Sequence, residues 1–473
     1  MRYESTRGGG GDHSFADVLL DGLARDGGLY VPVEIPLLTE STQRDLSNRS
    51  FVEVATEVML PFVTPDYERD EFTELVTRSY EPFDHPDVAP LRVLNQSAGE
   101  WLLELFWGPT LAFKDVALQL LGNLFERELA RRSTAVTIVG ATSGDTGSAA
   151  IEAVRGREGI ELFMLHPRGR VSDVQRLQMT TVDAPNIHNL AIEGTFDDCQ
   201  DLVKAMFADT EFRNRHALSA VNSINWARVM AQTVYYVTAA VRLGAPASSV
   251  AFSVPTGNFG NIYAGHVARE MGVPISQLIL ATNVNDILSR AFDTGTLQIQ
   301  AVTHSTSPAM DIQVSSNFER LLYELHGRDG RLVAALMERF RFLGHVELPE
   351  PVLEAFRELF DADRLDDDGT REVIRQVYEE SGLVVDPHTA VGVGVGRSLR
   401  TDRNAPLVML ACAHPAKFPE TVEAALGERP ISPSRIGALA GLPERFEVLP
   451  NDLDAVRAVI DERAAGGGPR AAQ

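Results

Sequence analysis

The sequence predicts an α/β protein with doubly wound, mainly parallel open sheets, helices on both sheet faces, and a separate N-terminal domain. Short apolar stretches such as AVTIVGA and PLVMLACA have the length and composition of buried strands, and amphipathic stretches alternate with them. Two strand-like runs lead into glycine-rich loops that open a helix, TSGDTG and PTGNFGN. This alternation is typical of parallel sheets covered by helices.

Three domains are predicted for the 473 residues. Residues 1–97 combine a glycine-rich loop, the turn DGGLYVP and helical stretches such as FVEVATEVML. Residues 98–250 and 251–473 carry the alternating strands and helices of a smaller and a larger α/β domain. The larger domain also contains a charged, mostly helical insertion at about 315–382 and a tail, AAGGGPRAAQ, that is predicted to be disordered.

Individual elements follow from local patterns. Strands are predicted at residues 135–141 and 161–167, and Thr195 is a predicted N-cap of the helix that contains DDCQDLVKAMFAD. The stretch DADRLDDDG has the acidic composition of a calcium loop, but Arg364 stands where the first acidic ligand should be. We therefore predict a solvated turn before a helix at this stretch, and no metal site.

The charge and the cysteines limit the function classes. A net charge of −23 argues against nucleic acid or an anionic membrane as the main partner. Cys199 and Cys412 are the two cysteines, which cannot form a disulfide framework and fit a reducing cytoplasm. The sequence contains no apolar run of about 18 residues that could span a bilayer. A small-molecule ligand is therefore expected, and both a monomer and a homodimer stay open.

Lysine is rare, and its positions are informative. The 43 basic residues include only Lys114, Lys204 and Lys417 as lysines. Lys114 lies in LAFKDVAL with apolar flanks, and a desolvated amine there would be nucleophilic near neutral pH, as covalent binding of an aldehyde cofactor requires. The alternative is a helix-end lysine that extends to solvent. Lys204 resembles a surface ion-pairing residue, whereas the spacing around Lys417 leaves its role open.

Two glycine-rich loops are candidate anion sites, because backbone N–H groups at a helix N-terminus bind anions. The acidic Asp145 in the loop 142–147 would repel a phosphate, whereas the loop 256–261 has no acid and offers asparagine donors. We assign a cofactor phosphate to 257–261 and a smaller group, such as a substrate carboxylate, to the hydroxyls of the first loop. Either loop alone could be a tight turn that needs glycine.

A third cluster, NSINWAR, lies at residues 222–228 beside the start of a predicted helix. Its amide, hydroxyl and guanidinium groups would bind a second phosphate well. The alternative is helix capping by asparagine or serine with a surface arginine.

Together these motifs resemble those of the threonine synthases, which are fold-type-II pyridoxal-phosphate enzymes. The stretches STRGGG and SFADVLLDGLARDGGLYVPVEIP are similar to the N-terminal domain of the longer branch of that family, and the resemblance covers nearly the whole chain. LAFKD resembles the family's cofactor-lysine motif, GATSGDTGSAA its substrate-carboxylate loop, PTGNFGN its cofactor-phosphate loop and NSINWAR its substrate-phosphate site. MDIQVSSNFERLLYEL and AHPAKFPETVEAAL are similar to further family stretches.

The resemblance implies a tryptophan synthase β-like fold and a cytoplasmic carbon–oxygen lyase that uses pyridoxal 5'-phosphate. The implied reaction, the final step of threonine biosynthesis, converts O-phospho-L-homoserine and water to L-threonine and phosphate, with Lys114 moving protons at the substrate Cα and Cβ. The implied cofactor ligands are Lys114, Asp145, Gly257, Asn258, Phe259, Gly260, Asn261 and Cys412, and the implied substrate ligands are Thr142, Ser143, Thr146, Asn222, Ser223 and Arg228.

Two positions depart from parts of the family pattern. Asp145 stands where the shorter branch has an asparagine that contacts the phenolic oxygen of the cofactor, and the longer branch resembles this chain. Cys412 stands where the family usually has a threonine that hydrogen-bonds the pyridine nitrogen. A thiol is a weaker partner than a hydroxyl, so the tuning of the cofactor is expected to differ.

Other functions fit parts of the same pattern. A phospholyase on this scaffold would eliminate phosphate and release a 2-oxo acid and ammonia without adding water. A non-catalytic pyridoxal-phosphate-binding protein would show cofactor absorbance but release no phosphate. A dinucleotide-binding protein is less well supported, because neither glycine-rich loop has the spacing G-x-G-x-x-G.

Overall fold

The computed structural model describes residues 1–219 and 223–464, which contain helices and strands along their whole length. The strands are β1 (Tyr3–Ser5), β2 (Gly11–His13), β3 (Tyr30–Pro32), β4 (Leu91–Asn95), β5 (Glu100–Glu104), β6 (Val136–Ala141), β7 (Ile160–Pro167), β8 (Ile187–Glu193), β9 (Leu218–Ser219), β10 (Val250–Pro255), β11 (Ile275–Thr282), β12 (Thr296–Gln298), β13 (His345–Glu347), β14 (Asp361–Arg364), β15 (Leu407–Ala411) and β16 (Glu447–Pro450). The helices are α1 (Phe15–Asp21), α2 (Glu40–Leu46), α3 (Phe51–Val63), α4 (Arg69–Tyr80), α5 (Lys114–Arg132), α6 (Asp145–Val154), α7 (Asp173–Thr180), α8 (Phe196–Ala208), α9 (Thr210–Arg215), α10 (Trp226–Arg242), α11 (Gly260–Glu270), α12 (Ile287–Thr294), α13 (Phe318–Leu325), α14 (Gly330–Leu343), α15 (Glu350–Leu359), α16 (Asp367–Ser381), α17 (Pro387–Leu399), α18 (Pro419–Leu426), α19 (Ser434–Gly437) and α20 (Leu453–Arg463).

One of two compact units contains residues 1–18, 23–117 and 223–431. Its main sheet has the strand order β14-β11-β10-β15-β5-β4. Neighbouring strands in this sheet are parallel, except that β4 is antiparallel to β5. The same unit contains the antiparallel sheet β2-β1-β3 and the antiparallel pair β12-β13. The main sheet is therefore the open, mostly parallel sheet that the sequence predicts.

Helices cover both faces of this sheet, as strand β10 demonstrates. The ring of Phe252 packs against Tyr236 of α10 with 4.9 Å between ring centroids. The hydroxyl of the next residue, Ser253, donates a hydrogen bond of 2.6 Å to the carbonyl oxygen of Gly392 in α17. Because alternate side chains of a strand point to opposite faces, α10 and α17 lie on opposite faces. A Cβ atom on Gly396 would lie 2.7 Å from that of Ser253, so α17 needs glycine to pack this closely.

The other unit contains residues 19–22, 118–219 and 432–464 of the described chain. Its sheet has the order β16-β8-β7-β6-β9, and all of its neighbouring strands are parallel. Apolar side chains of β7 and β8 pack with those of α8 and α20 in one buried cluster. The strand β16 joins β8 although it comes from the C-terminal part of the chain.

Several local predictions are confirmed. Thr195 caps α8, because its side chain accepts a hydrogen bond from the backbone N–H of Asp198. Asp366 likewise accepts a hydrogen bond from the N–H of Gly369 at the start of α16, so the predicted helix does begin in DADRLDDDG, although only Leu365 and Asp366 separate it from a strand. The preceding residues form strand β14, which the sequence analysis did not predict because a four-residue polar edge strand has no apolar pattern.

Within the described ranges, no group of three or more His, Cys, Asp or Glu side chains has metal-binding geometry. None of the helices described is long and apolar enough to cross a membrane. The predicted ligand Asn222 and the predicted disordered tail, apart from Ala464, lie outside the described residues. The division into three domains stays a prediction.

Candidate active site

Lys114 is the first residue of α5 and is 7% exposed. Its Nζ lies 4.6 Å from the centroid of the Phe113 ring. The backbone N–H of Phe113 donates to the carbonyl oxygen of Cys412 at 2.7 Å, which joins the lysine turn to the end of β15. Leu111 adopts a left-handed conformation with φ of 61°, which is unusual for a leucine. A buried amine on a constrained turn suits a nucleophile better than a solvent-directed lysine.

A second lysine holds this turn in place. The Nζ of Lys417, which is completely buried, donates to the carbonyl oxygen of Thr110 at 2.7 Å. The carboxylate of Asp115 accepts from the hydroxyl of Thr110 at 2.6 Å and from its N–H at 2.8 Å. Burial raises the pKa of Asp115, and its hydrogen bonds with Thr110 and the charge of Lys417 counteract this effect. Lys417 is thus a positioning residue, while Lys204 forms the predicted surface ion pair with Asp201 at 2.9 Å.

The loop between β10 and α11 has the geometry of an anion site. Phe259, the residue before α11, has φ of 62° and its side chain does not cap the helix. The first turn of α11 therefore presents backbone N–H groups that can donate hydrogen bonds to an anion. A Cβ atom on Gly257 would lie 3.1 Å from the carbonyl oxygen of Ala309, so the loop depends on glycine at this position.

Asn261 adds an oriented amide to this loop. Its Oδ1 accepts hydrogen bonds from the hydroxyls of Tyr235 and Tyr236, the second at 3.0 Å. Burial raises the pKa of both phenols well above the usual value, so both remain protonated donors at neutral pH. Among the described residues, the buried Nδ2 of Asn261 has no hydrogen-bond partner. Two phenols thus fix the oxygen side of the amide and leave its donor side for a ligand.

Removing both phenol hydroxyls should weaken cofactor binding. We expect Tyr235→Phe/Tyr236→Phe to raise the Kd of the apoprotein for pyridoxal phosphate up to about 30-fold, because two hydrogen bonds of about 1 kcal/mol each orient the amide. An absorbance titration measures this Kd. Tyr263→Phe is the matched control, because that buried phenol on α11 donates to Glu324 at 2.5 Å instead. Equal Kd values for the double variant and the control would contradict the assignment.

Arg228 is a buried cation on α10. It is 3% exposed, and burial lowers its pKa to about 10. Its Nε and Nη1 have no hydrogen-bond partner in the described part of the chain. The alternative interpretation of NSINWAR, helix capping with a surface arginine, is half right. Asn225 does cap the helix, because its side chain accepts a hydrogen bond of 3.0 Å from the N–H of Ala227. Arg228, however, is buried and does not lie on the surface. Buried guanidinium donors without partners favour an anionic ligand.

The hydroxyl-rich loop belongs to the other unit, where it opens α6. The Thr142 hydroxyl accepts from the N–H groups of Gly144 at 3.0 Å and Gly147 at 2.8 Å, so it shapes the loop. Ser143 is exposed and Thr146 is half-buried. These two hydroxyls are better placed than that of Thr142 to bind a substrate group.

Asp145 is buried in the first turn of α6. Its Oδ1 accepts a hydrogen bond of 2.8 Å from Nε2 of Gln175. The Oε1 of Gln175 in turn accepts from the hydroxyl of Ser172 at 3.0 Å. A neutral amide therefore holds the carboxylate, and the sequence analysis did not identify Gln175.

Cys412 follows β15 and is also buried. Its backbone N–H donates to the Thr389 hydroxyl at 3.0 Å, and that hydroxyl donates to the buried carboxylate of Asp386. The Sγ of Cys412 lies 3.7 Å from the carbonyl oxygen of Leu410. Burial lowers the pKa of the nearby His414 to about 4, so this imidazole is neutral at physiological pH. The end of β15 thus carries a buried thiol and, two residues further on, a neutral imidazole.

Unit by unit, the predicted residues form connected groups. Tyr235 donates a hydrogen bond to Asn261 and lies on the same helix as Arg228. The carbonyl oxygen of Cys412 accepts a hydrogen bond from the turn that carries Lys114. The predicted residues that the other unit contains are Thr142, Ser143, Asp145 and Thr146. An anionic cofactor and an anionic substrate group fit the uncapped helix and the partnerless buried donors, although each role stays a proposal.

Comparison with known proteins gives the family. Residues 2–80 match the profile described as threonine synthase N terminus, residues 88–339 that of the pyridoxal-phosphate dependent enzymes, and residues 389–460 that of the threonine synthase C-terminal part. The threonine synthase of Pseudomonas aeruginosa is 52% identical, over 99% of this chain and 100% of its own length.

Solved structures agree with these matches. The pyridoxal-phosphate-bound threonine synthase from Brucella melitensis has a TM-score of 0.95 and 50% identity, over 98% of this chain and 100% of its own. The yeast threonine synthase has a TM-score of 0.93 and 38% identity, over 98% of this chain and 99% of its own. The predicted family, fold class and cofactor are confirmed. This chain belongs to the threonine synthase family of pyridoxal-phosphate-dependent enzymes.

Proposed function

We propose that the protein converts O-phospho-L-homoserine and water to L-threonine and phosphate. The carrying observation is that one unit contains a buried lysine and two separate groups of buried donors suited to anions, at Asn261 and at Arg228. A cofactor with a phosphate tail and a substrate with its own phosphate require two such sites. A protein that only binds the cofactor would need one.

Lys114 and the loop 257–261 are the proposed cofactor ligands, with Asp145 and Cys412 completing the set. When bound, pyridoxal phosphate supplies an electron sink for negative charge that develops on the substrate carbons. The helix N-terminus and the Asn261 amide bind the phosphate tail. The buried Lys114 is the proposed group that accepts a proton from the substrate and returns it.

The remaining side chains have proposed roles toward the substrate. Arg228 and Ser223, with Asn222, bind the phosphate of the substrate, while Ser143 and Thr146, with Thr142, bind its carboxylate. Lys114 transfers protons at the substrate Cα and Cβ, phosphate leaves from Cγ, and water adds at Cβ. The guanidinium stabilises charge on the departing phosphate, which is an electrostatic contribution to elimination.

The decisive assay separates hydration from simple elimination. Incubation with O-phospho-L-homoserine should give threonine and phosphate in equal amounts, measured by chromatography and a phosphate assay. The proposal fails if phosphate is accompanied by 2-oxobutyrate and ammonia, which is the phospholyase outcome. Cofactor absorbance without phosphate release would identify a binding protein instead.

We also propose that the protein acts in the cytoplasm on a small-molecule substrate. Cys199 and Cys412 are both buried thiols without a disulfide, which suits a reducing compartment. The net charge of −23 makes nucleic acid an unsuitable partner.

A further inference from the structure

One buried amide contacts the loops of both candidate anion sites. Asn317 is completely buried, and its Nδ2 donates to the carbonyl oxygen of Asn258 at 3.0 Å and to that of Ser223 at 3.2 Å. The backbone N–H of Asn317 also donates to the Asn258 oxygen, at 3.1 Å. Asn258 belongs to the candidate cofactor-phosphate loop and Ser223 to the candidate substrate-phosphate site.

A buried arginine fixes the orientation of this amide. Arg320 is completely buried, and its Nη1 donates to Oδ1 of Asn317. Its Nη2 donates to the carbonyl oxygen of Ile224 at 2.6 Å, and its Nε donates to that of Tyr30 at 3.0 Å. Because a guanidinium only donates, the amide must present Oδ1 to Arg320 and Nδ2 to the two loops. The orientation of Asn317 is therefore determined by its contacts.

The residues around Asn317 pack closely against the cofactor loop. The hydroxyl of Ser315 donates to the carbonyl oxygen of Gly257 at 2.7 Å. The rings of Phe318 and Phe259 meet edge to face, with 5.1 Å between their centroids. A Cβ atom on Gly260 would lie 3.1 Å from Nδ2 of Asn317, which leaves little space for the loop to shift.

These contacts control the direction of backbone donors. A trans peptide places its N–H opposite its carbonyl oxygen. Holding the oxygen of Asn258 therefore directs the N–H of Phe259 away from Asn317, and holding the oxygen of Ser223 does the same for the N–H of Ile224. The NH₂ group of Asn317 thus holds two peptide planes, one in each candidate anion site, and the backbone N–H of Asn317 also holds the first of them.

We propose that Asn317, oriented by Arg320, is a positioning residue that couples the two phosphate-binding loops. Loss of its donor would weaken binding of the cofactor phosphate and of the substrate phosphate together. This inference rests on the proposed function for the identity of the two anions, but it can be tested without any turnover.

The test compares Asn317→Leu, which keeps the approximate size and removes the donor, with Gln277→Met. Gln277 is a matched control in the same unit, because its buried amide donates to Asp361 at 2.6 Å and to the carbonyl oxygen of Leu399 at 2.9 Å, in neither anion loop. Two constants are measured. One is the Kd of the apoprotein for pyridoxal phosphate, by absorbance, and the other is the Kd of the holoprotein for inorganic phosphate, by calorimetry.

We expect Asn317→Leu to raise both constants by at least about fivefold, since the side-chain hydrogen bonds to both loops are lost and only the backbone bond to Asn258 remains. Gln277→Met should raise neither. Two single-site variants calibrate the assay: Asn261→Ala should affect mainly the first constant, and Arg228→Ala only the second. If Arg228→Ala loses phosphate binding, the heat that calorimetry measures for the wild-type holoprotein comes from phosphate at the substrate-phosphate site.

Three results would overturn the coupling: a change in only one constant for Asn317→Leu, changes no larger than those of Gln277→Met, or no phosphate binding by the wild-type holoprotein. If Asn317→Leu does not fold, Arg320→Lys is the second variant. It keeps the charge but loses the forked contacts to Asn317 and Ile224, and the same paired increase is expected. Both constants remain measurable in a protein that makes no threonine, so failure of the proposed reaction is distinguishable.

Discussion

Replacing Lys114 with alanine is expected to abolish covalent attachment of the cofactor and to lower the rate of phosphate release by at least about 10³-fold. The variant loses both the amine that binds the aldehyde and the group that moves protons at the substrate. Absorbance spectra of wild type and Lys114→Ala after dialysis, followed by a phosphate-release assay, measure the two effects.

Lys204→Ala is the control for this experiment, because the exposed ion pair that it removes with Asp201 lies on the surface. It should retain both the spectrum and the activity. Borohydride reduction of the wild-type holoprotein followed by peptide mapping should place the adduct on Lys114. An adduct on Lys417 would contradict the assignment, since that amine is already bonded to the carbonyl oxygen of Thr110.

The second large effect is expected at Arg228. We expect Arg228→Ala to raise the KM for O-phospho-L-homoserine at least about 100-fold, because a hydrogen bond to a charged group contributes about 1.5–3 kcal/mol and at least two donors are lost. The Kd for pyridoxal phosphate should change little, because the cofactor phosphate is assigned to 257–261. Steady-state kinetics and a cofactor titration of the same preparation give both values.

Two variants on the same helix test whether the effect is specific. Arg228→Lys keeps the charge without the planar fork, so an intermediate KM is expected. Arg242→Ala removes a guanidinium from the last turn of α10, where it pairs with Asp87 at 2.8 Å, and should leave KM unchanged. An unchanged KM in Arg228→Ala would exclude this residue as a phosphate ligand.

The fold was predictable where strands are apolar and buried. Strand β7 covers Ile160–Pro167 where 161–167 was predicted, and β6 covers Val136–Ala141 where 135–141 was predicted. Strand β14 was missed, because Asp361–Arg364 is short and polar and is recognised as a strand only by its pairing with β11. The pairing of β16 with β8 could not be predicted from the sequence either, since no local pattern specifies which sheet a C-terminal strand joins.

The residues of the candidate site could be predicted where a short stretch of sequence is enough to indicate their chemistry. Lys114 was identified by the rarity of lysine, and the two loops by their glycines and by one acidic residue. Tyr235 and Asn317 were missed, because each acts through hydrogen bonds to residues far away in the sequence. A tyrosine in an apolar helix and an asparagine in a polar stretch look ordinary until the tertiary contacts are known.

Lys417 shows why a chain that uses arginine for nearly all of its basic residues contains lysine at a few positions. Its ammonium group is completely buried, donates to the carbonyl oxygen of Thr110 and counteracts the rise that burial causes in the pKa of Asp115, and a guanidinium would bring five donors in a wide planar fork to this buried position. At 114 the proposed chemistry needs an amine that can lose its proton and bind an aldehyde, which arginine cannot do. In arginine-dominated proteins, an interior lysine is therefore a useful marker of positions where the shape or the proton chemistry of the side chain is indispensable.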